Sequence, residues 1–143
     1  MKNLTTHQKE GRHPIFTIII FFLGMATAVI HLIQPDPILK LNGLGYLVLI
    51  VGSTLTIKSL DEFNQAAPNM LIFYALTTIG MYFILNGVAA LDNQLGMMTK
   101  AIEALLVLTM VVSRQAEKRQ KARSLFTPQQ AHPSLTERTA WRF

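Results

Sequence analysis

The stretch PIFTIIIFFLGMATAVIHLI, residues 14–33, decides the fold class. It contains no Lys, Arg, Asp or Glu over about 20 residues, the length that an α-helix needs to cross a hydrocarbon core of about 30 Å. Three further apolar stretches follow, at residues 43–57, 70–91 and 97–113. A chain of 143 residues cannot bury four such segments against one another in water. We therefore predict an all-α integral membrane protein, a four-helix transmembrane bundle over residues 14–113.

Composition supports the membrane class and excludes several kinds of site. Half of the residues are apolar and only 15% are charged, which is typical of a chain that lies largely in lipid. The sequence contains no cysteine, so disulfides, thiolate nucleophiles and Cys-ligated zinc or iron–sulfur centres are excluded. Of the four histidines only His31 lies inside an apolar stretch, which argues against a His-rich metal site. A length of 143 residues allows one bundle and no second domain.

The Lys and Arg residues are divided unevenly between the two ends of the predicted bundle. All 13 of them except Lys40 and Lys100 lie before the first span, between the second and third, or after the fourth. Because positive residues favour the cytoplasmic side, we predict an integral membrane protein with both termini in the cytoplasm. Residues 1–13 then form a cytoplasmic N-terminal segment. Residues 114–143 form a basic cytoplasmic tail that starts as helix and continues as disordered chain.

Topology accounts for the net charge of +5, so nucleic acid is not expected as a partner. The N-terminal region also fits a second interpretation, a cleaved signal peptide, because Ala26-Thr27-Ala28 has the form of an A-x-A cleavage site after a basic segment and an apolar run. However, apolar residues continue through 29–33, and cleavage would leave the basic tail outside the cell. We therefore expect the first span to be retained.

Every predicted span brings a polar side chain to one layer near the outer face of the membrane. At a rise of about 1.5 Å per residue, this layer lies about 3–9 Å below that face. Lys100 and Glu103 are three residues apart on one helix face and can pair. A carboxylate inside a span is costly and usually faces the interior, a partner or a cavity. We predict a ligand or proton site around Glu103, formed by Glu103, Lys100, His31, Asn86, Asn42 and Tyr46.

A purely structural interpretation of the same residues remains open. A Lys–Glu pair one or two turns inside a helix end is often a partly hydrated pair whose lysine reaches the headgroups. His31 at a span end could be a headgroup-level hydrogen-bonding residue, or it could offer a nitrogen to a metal or tetrapyrrole centre. Contact of Lys100 and Glu103 with a partner subunit is a third possibility. No cofactor is firmly implied.

Basic residues directly after the fourth span form a second group of interest. A basic segment beside a membrane surface attracts anionic lipid headgroups, and an acidic protein partner would suit it equally well. We predict lipid or partner binding by Arg114, Lys118, Arg119, Lys121 and Arg123.

Two short motifs carry a resemblance to known proteins. They are Leu41-Asn42-Gly43-Leu44-Gly45-Tyr46 at the start of the second span and Thr99-Lys100-Ala101-Ile102-Glu103 at the start of the fourth. The chain resembles small uncharacterised bacterial four-helix membrane proteins, and its layout over residues 14–113 is similar to the DoxX-like class, some of which accompany redox enzymes. The resemblance implies a four-span fold in a bacterial inner membrane and assigns no catalytic residue.

Two functions from different classes follow. The first is a non-catalytic accessory or interaction subunit of a larger membrane assembly, with a partner membrane protein or a second copy of the chain. The alternative is a small membrane carrier or binding protein for a proton, quinone, lipid or other small amphiphile, which would use the polar layer around Glu103. Glu103 discriminates between them, because it is a bystander in the first and indispensable in the second. An enzyme is not expected, because the sequence offers no evident nucleophile–base pair.

The orientation can be tested by cysteine labelling, since the native chain contributes no thiol. Asp36→Cys and Asn93→Cys should react with a membrane-impermeant maleimide on intact cells, because both lie in predicted outer loops. Ser134→Cys should react only after the cells are opened. The opposite labelling pattern would overturn the predicted orientation.

Overall fold

The computed structural model describes residues 14–55 and 60–126, and side chains as far as residue 123. Within these ranges the chain is helical apart from its connections. The helices are α1 (Pro14–Leu32), α2 (Pro37–Thr54), α3 (Asp61–Asn86) and α4 (Gln94–Phe126), and a 3₁₀ helix, Gly87–Leu91, follows α3. All four α-helical segments are long and apolar enough to cross a membrane. This confirms an all-helical chain with four potential spans. The predicted cytoplasmic segment 1–13 and the end of the tail, residues 127–143, lie outside the described residues.

Two helices begin earlier than the apolar stretches indicate. The second starts at Pro37 rather than at residue 43, because proline suits the first helical turn and the Asp36 side chain accepts a hydrogen bond from the Ile38 amide at 2.7 Å. The third starts at Asp61 rather than at residue 70, and its first turn carries two acidic residues that favour a helix N-terminus. Apolar length therefore marks the part of each helix suited to lipid, and not the helix itself.

The other helix ends also have local causes. Helix α3 ends at Asn86 instead of residue 91 because Gly87 adopts a positive φ of 52°, which leads into the 3₁₀ turn. At the start of α4 the Asn93 side chain accepts a hydrogen bond from the Gly96 amide at 3.0 Å. Helix α4 then continues without a break past the end of its apolar stretch, as far as Phe126.

The four helices pack in a ring, each against its two neighbours. Helix α1 contacts α2 and α4, and α3 contacts the same two helices on the other side. The interior is closely packed and mostly apolar; its fully buried members include Ile20, Ile50, Leu71, Leu106 and Met110. Large apolar side chains cover the outside of all four helices, among them Phe22, Val48, Phe73, Ile84 and Leu108. An apolar surface of this extent suits lipid rather than water.

Close approach of α1 and α2 depends on glycine. A Cβ atom at Gly43 would lie 2.9 Å from the Ala28 carbonyl oxygen and 2.8 Å from Leu32 Cγ. Because one of these obstacles is backbone, a side chain at position 43 would push the two helices apart. The contact is a small-residue helix crossing of the kind common in membrane proteins, and it holds the end of α1 against the start of α2, where the polar residues lie.

We expect Gly43→Ala to lower the free energy of unfolding by about 1–3 kcal/mol, since the added methyl group overpacks the α1–α2 contact. Gly80→Ala is the matched control, because a Cβ there would meet no atom within 4 Å. That control should be neutral or stabilising by up to about 1 kcal/mol through helix propensity. Unfolding in mixed detergent micelles, followed by circular dichroism, measures both. Equal effects of the two substitutions would contradict the close-approach account.

Candidate functional site

A fully buried carboxylate, that of Glu103, is the centre of the polar layer. Its Oε1 accepts a hydrogen bond from Lys100 Nζ at 2.8 Å and lies 3.0 Å from His31 Nε2. Its Oε2 accepts from Lys100 Nζ at 2.8 Å and from Thr78 Oγ1 at 3.0 Å. An ionised carboxylate has about four acceptor positions. These four contacts therefore satisfy Glu103 with side chains from α1, α3 and α4.

Helix α2 supplies the next two groups. Tyr46 is fully buried, and its hydroxyl lies 2.8 Å from Thr78 Oγ1. The side-chain nitrogen of Asn42 lies 3.3 Å from His31 Nε2. Polar side chains from all four helices therefore converge, directly or through one intermediate group, on Glu103. We call Glu103, Lys100, His31, Thr78, Tyr46 and Asn42 the Glu103 cluster.

The hydroxyl groups of the cluster have a defined order of donation. Thr78 has one hydroxyl proton, and its oxygen lies within hydrogen-bond distance of Glu103 Oε2, the Tyr46 hydroxyl and the Ala75 carbonyl oxygen. When Thr78 donates to the charged carboxylate, its oxygen can only accept from Tyr46. The hydrogen bonds then run in one direction, from Tyr46 to Thr78 to Glu103.

The same reasoning assigns the tautomer of His31. An ionised Glu103 is only an acceptor, so His31 Nε2 carries the proton and donates it to Oε1. With Nε2 as a donor, the Asn42 amide faces the ring with its oxygen. This requires only that the amide nitrogen and oxygen exchange places. His31 Nδ1 is left as a buried acceptor, and it has no hydrogen-bond partner in the described structure.

Aromatic rings surround the charged groups. The His31 ring stacks on Tyr46, with centroids 5.8 Å apart and planes 6° from parallel. Tyr74 meets Tyr46 edge to face at 5.0 Å. Lys100 Nζ lies 5.6 Å from the centre of the Tyr82 ring, whose negative face attracts a cation. The Tyr82 hydroxyl donates to the Ala90 carbonyl at 2.9 Å and so ties the ring to the 3₁₀ turn.

Five of the six residues predicted for the site belong to the cluster, and Asn86 does not. Its side chain is exposed and donates to the Tyr82 carbonyl oxygen at 2.8 Å, one helical turn back. An amide near a helix end can satisfy itself in this way without a tertiary partner. The apolar pattern placed Asn42 and Tyr46 at the start of the second helix. They lie further inside it, because α2 already begins at Pro37.

Three residues of the site were not among those predicted: Thr78, Tyr74 and Tyr82. They recur every four residues on α3 and therefore lie on one helix face. That spacing was the signal that could have found them. The neighbouring Thr77 is a polar residue on a different face; it is exposed and donates to its own helix at the Phe73 carbonyl oxygen.

The cluster is electrically balanced but costly to bury. Lys100 and Glu103 carry opposite charges, and their side chains are 8% and 0% exposed. Removing an ion pair from water costs several kcal/mol per ion, and only good geometry with further hydrogen bonds recovers it. Among residues 14–55 and 60–126, no group of three or more His, Cys, Asp and Glu is placed to hold a metal ion.

The predicted basic group lies at the far end of α4 from Glu103. Arg114 is half-buried. The other four basic residues of the group are exposed: Lys118, Arg119, Lys121 and Arg123. All five are on one continuous helix. At about 1.5 Å per residue, Lys118 lies about 7 Å and Arg123 about 15 Å beyond the last apolar turn, which ends near residue 113.

No protein-family model matches the chain, and no curated protein or solved structure matches it either. The resemblance to the DoxX-like class therefore stays a prediction that rests on the number of spans.

Thr78→Val should destabilise the bundle by about 1–3 kcal/mol, because it keeps the shape of the side chain but leaves Tyr46 and one oxygen of Glu103 without a buried partner. Thr77→Val is the matched control: it is adjacent, exposed, and bonded only within its own helix. The free energy of unfolding in mixed micelles compares the two. A Thr78→Val protein as stable as the Thr77→Val protein would show that the hydroxyl connection to Glu103 carries no stability.

Proposed function

We propose that this protein is inserted in the bacterial inner membrane, with both termini in the cytoplasm, as a small carrier or binding protein for a proton or a small amphiphile. The site of binding is the Glu103 cluster. The observation that carries this proposal is the complete burial of one carboxylate on which polar side chains from all four helices converge. Because the polar side chains converge on Glu103, this arrangement favours the carrier alternative over a purely accessory role.

Energetics supports a role beyond holding the helices together. Replacing a buried ion pair by apolar residues of similar volume is often neutral or stabilising, by up to about 4 kcal/mol. In a bundle with a mostly apolar interior, leucine or methionine would therefore serve cohesion equally well. A buried titratable group within a span is, by default, a candidate for ligand or proton handling.

The geometry also suits the handling of protons. The directed hydrogen bonds from Tyr46 through Thr78 to Glu103 can reorganise without moving the helices, since each step is a hydroxyl rotation. His31 Nε2 contacts the other side of the carboxylate. A change of charge at any one of these groups therefore changes the electrostatic energy of the others, because interactions between charges are weakly screened in a low-dielectric interior.

A second function, an accessory subunit of a larger membrane assembly, is favoured by a different observation. Helix α4 continues beyond its apolar stretch and carries exposed cations on several sides. Each basic residue near an anionic surface contributes on the order of 1 kcal/mol of attraction. Anionic lipids or an acidic partner protein would both bind there, and this binding is compatible with a ligand site at the opposite end of the bundle.

The double substitution Lys100→Met/Glu103→Gln removes both charges and retains similar side-chain volumes. We expect it to fold and to lose the small molecules that the wild-type protein retains when it is released gently from native membranes. Native mass spectrometry reads both bound molecules and partner subunits. Thr77→Val is the control and should retain the wild-type adducts.

Two outcomes of that measurement would point elsewhere. A folded double variant with the same small-molecule adducts as the wild type would refute the Glu103 site. A partner protein that is lost when Lys118, Arg119, Lys121 and Arg123 are changed to glutamine, with no small-molecule adduct in any variant, would establish the accessory function instead.

A further inference from the structure

Two cationic or potentially cationic groups compete for one carboxylate in the cluster. Lys100 Nζ contacts both oxygens of Glu103, each at 2.8 Å. His31 Nε2 contacts Oε1, the oxygen that one of the lysine bonds also uses, at 3.0 Å. Glu103 needs only one counter-cation to be neutralised. When both His31 and Lys100 are positively charged, one of them neutralises Glu103 and the other is available to bind a second anion.

His31 can take a proton without losing a contact. Its Nε2–H already donates to Glu103, and its Nδ1 has no hydrogen-bond partner in the described structure, although the side chain is only 4% exposed. A proton added at Nδ1 converts the neutral ring to imidazolium. The bond from Nε2 to Glu103 remains and becomes charge-assisted, which strengthens it. His31 is then able to replace Lys100 as the counter-cation.

Lys100 is the group that can leave. It is the seventh residue of α4, counted from Gln94, so it lies about 9 Å from the helix start at about 1.5 Å per residue. A lysine stem at this depth can extend and carry its ammonium to the headgroup level. All three side chains are buried, but Glu103 and His31 have no comparable reach, because their side chains are shorter.

We propose that Lys100 binds the anionic headgroup of a membrane amphiphile, and that uptake of one proton at His31 Nδ1 accompanies this binding. The inference rests on the proposed function and names its ligand class. In the resting state Glu103 is negative, Lys100 positive and His31 neutral, with a sum of zero. In the loaded state Glu103 is paired with imidazolium and Lys100 with the ligand anion, and the sum is again zero. The proton comes from water, and no other covalent bond changes.

Other groups facing His31 and Lys100 do not alter this charge count. Helix α2 presents Tyr46 and Asn42, and α3 presents Thr78, Tyr74 and Tyr82. Phenols, amides and hydroxyls supply no charge between about pH 5 and 8. Helix α4 supplies only the Lys100–Glu103 pair itself among the described contacts of the cluster. Without the proton, a bound anion would leave one uncompensated negative charge in the low-dielectric interior, which is strongly unfavourable.

The test uses the full-length protein in zwitterionic phosphatidylcholine nanodiscs. The probe is a pyrene-labelled alkyl sulfonate, because a sulfonate remains charged throughout the pH range. Equilibrium dialysis against empty nanodiscs measures the excess of probe that the protein retains. Wild-type protein should take up one proton for each sulfonate that it binds. Over the pH range in which this coupling holds, its affinity for the sulfonate should fall about tenfold for each unit that the pH rises. A pH indicator in weak buffer counts the protons.

Three single variants separate the roles. Glu103→Gln frees Lys100, so the sulfonate should bind without pH dependence and without proton uptake. His31→Gln can still donate to Glu103 but cannot become cationic, so binding should stay weak at every pH. Lys100→Met should not bind the sulfonate. If that variant fails to fold, Lys100→Met/Glu103→Gln replaces it and should give the same result. Wild-type binding that is independent of pH, or equal in His31→Gln, would overturn the inference.

Two further measurements complete the test. One identifies the source of the anion, and the other separates failure of this inference from failure of the proposed function. Competition by phosphatidylglycerol that depends on Lys100 supports a lipid headgroup as the anion, and lack of competition supports a free amphiphile. A pyrene-labelled alkyl alcohol of the same length is the neutral probe. If only the alcohol binds in a way that the cluster variants abolish, the coupled-anion inference fails and the proposed function stands. If neither probe binds, the coupled-anion inference fails, and the amphiphile-binding form of the proposed function fails with it.

Discussion

Burial of the Glu103 carboxylate is the constraint on which the rest of the structure depends. An ionised carboxylate without water must have its acceptor positions filled by donors of the protein. Side chains of α1, α3 and α4 fill those of Glu103, and α2 is connected to it through the contact between Tyr46 and Thr78. The helices cannot rotate or slide relative to one another without breaking one of these short contacts. The polar layer thus determines the relative heights and faces of helices whose apolar surfaces alone would tolerate many packings, because lipid and leucine differ little in polarity.

Glycine makes that layer possible. The His31 ring can reach Glu103 and still lie beside Asn42 only because α1 and α2 approach closely, and a side chain at Gly43 would meet the α1 backbone. Packing and electrostatics are therefore not independent contributions in this bundle. The close crossing of α1 and α2 brings Asn42 beside the imidazole, and the same imidazole joins α1 to the carboxylate on α4.

The number of helices and the class of fold were readable from the sequence because both depend on apolar length alone. The helix bounds were less readable. The first turn of α3 is polar and acidic, so hydropathy assigned it to a loop, although an acidic first turn is a favourable helix start. Within the site, Lys100 and Glu103 could be paired from their spacing, but the meeting of His31 with Glu103 depends on how α1 and α4 are rotated, which no local pattern specifies. Asn86 lies outside the cluster, because its depth along the helix does not say whether an amide is satisfied by its own helix.

The bond between His31 and Glu103 joins residues 72 positions apart, on the first and last helices of the ring. The ribosome synthesises α1 long before α4 exists. During that interval His31 has a partner on α2 but no carboxylate, and the ring of helices has an open side. The polar core can therefore be completed only after α4, the last of the four helices, has been synthesised. The early helices must remain together without it, through the glycine crossing and the short connection between α1 and α2. The costly charge pair is therefore the last part of the polar core to be made, and the groups on α1 and α3 that donate hydrogen bonds to Glu103 are made before it.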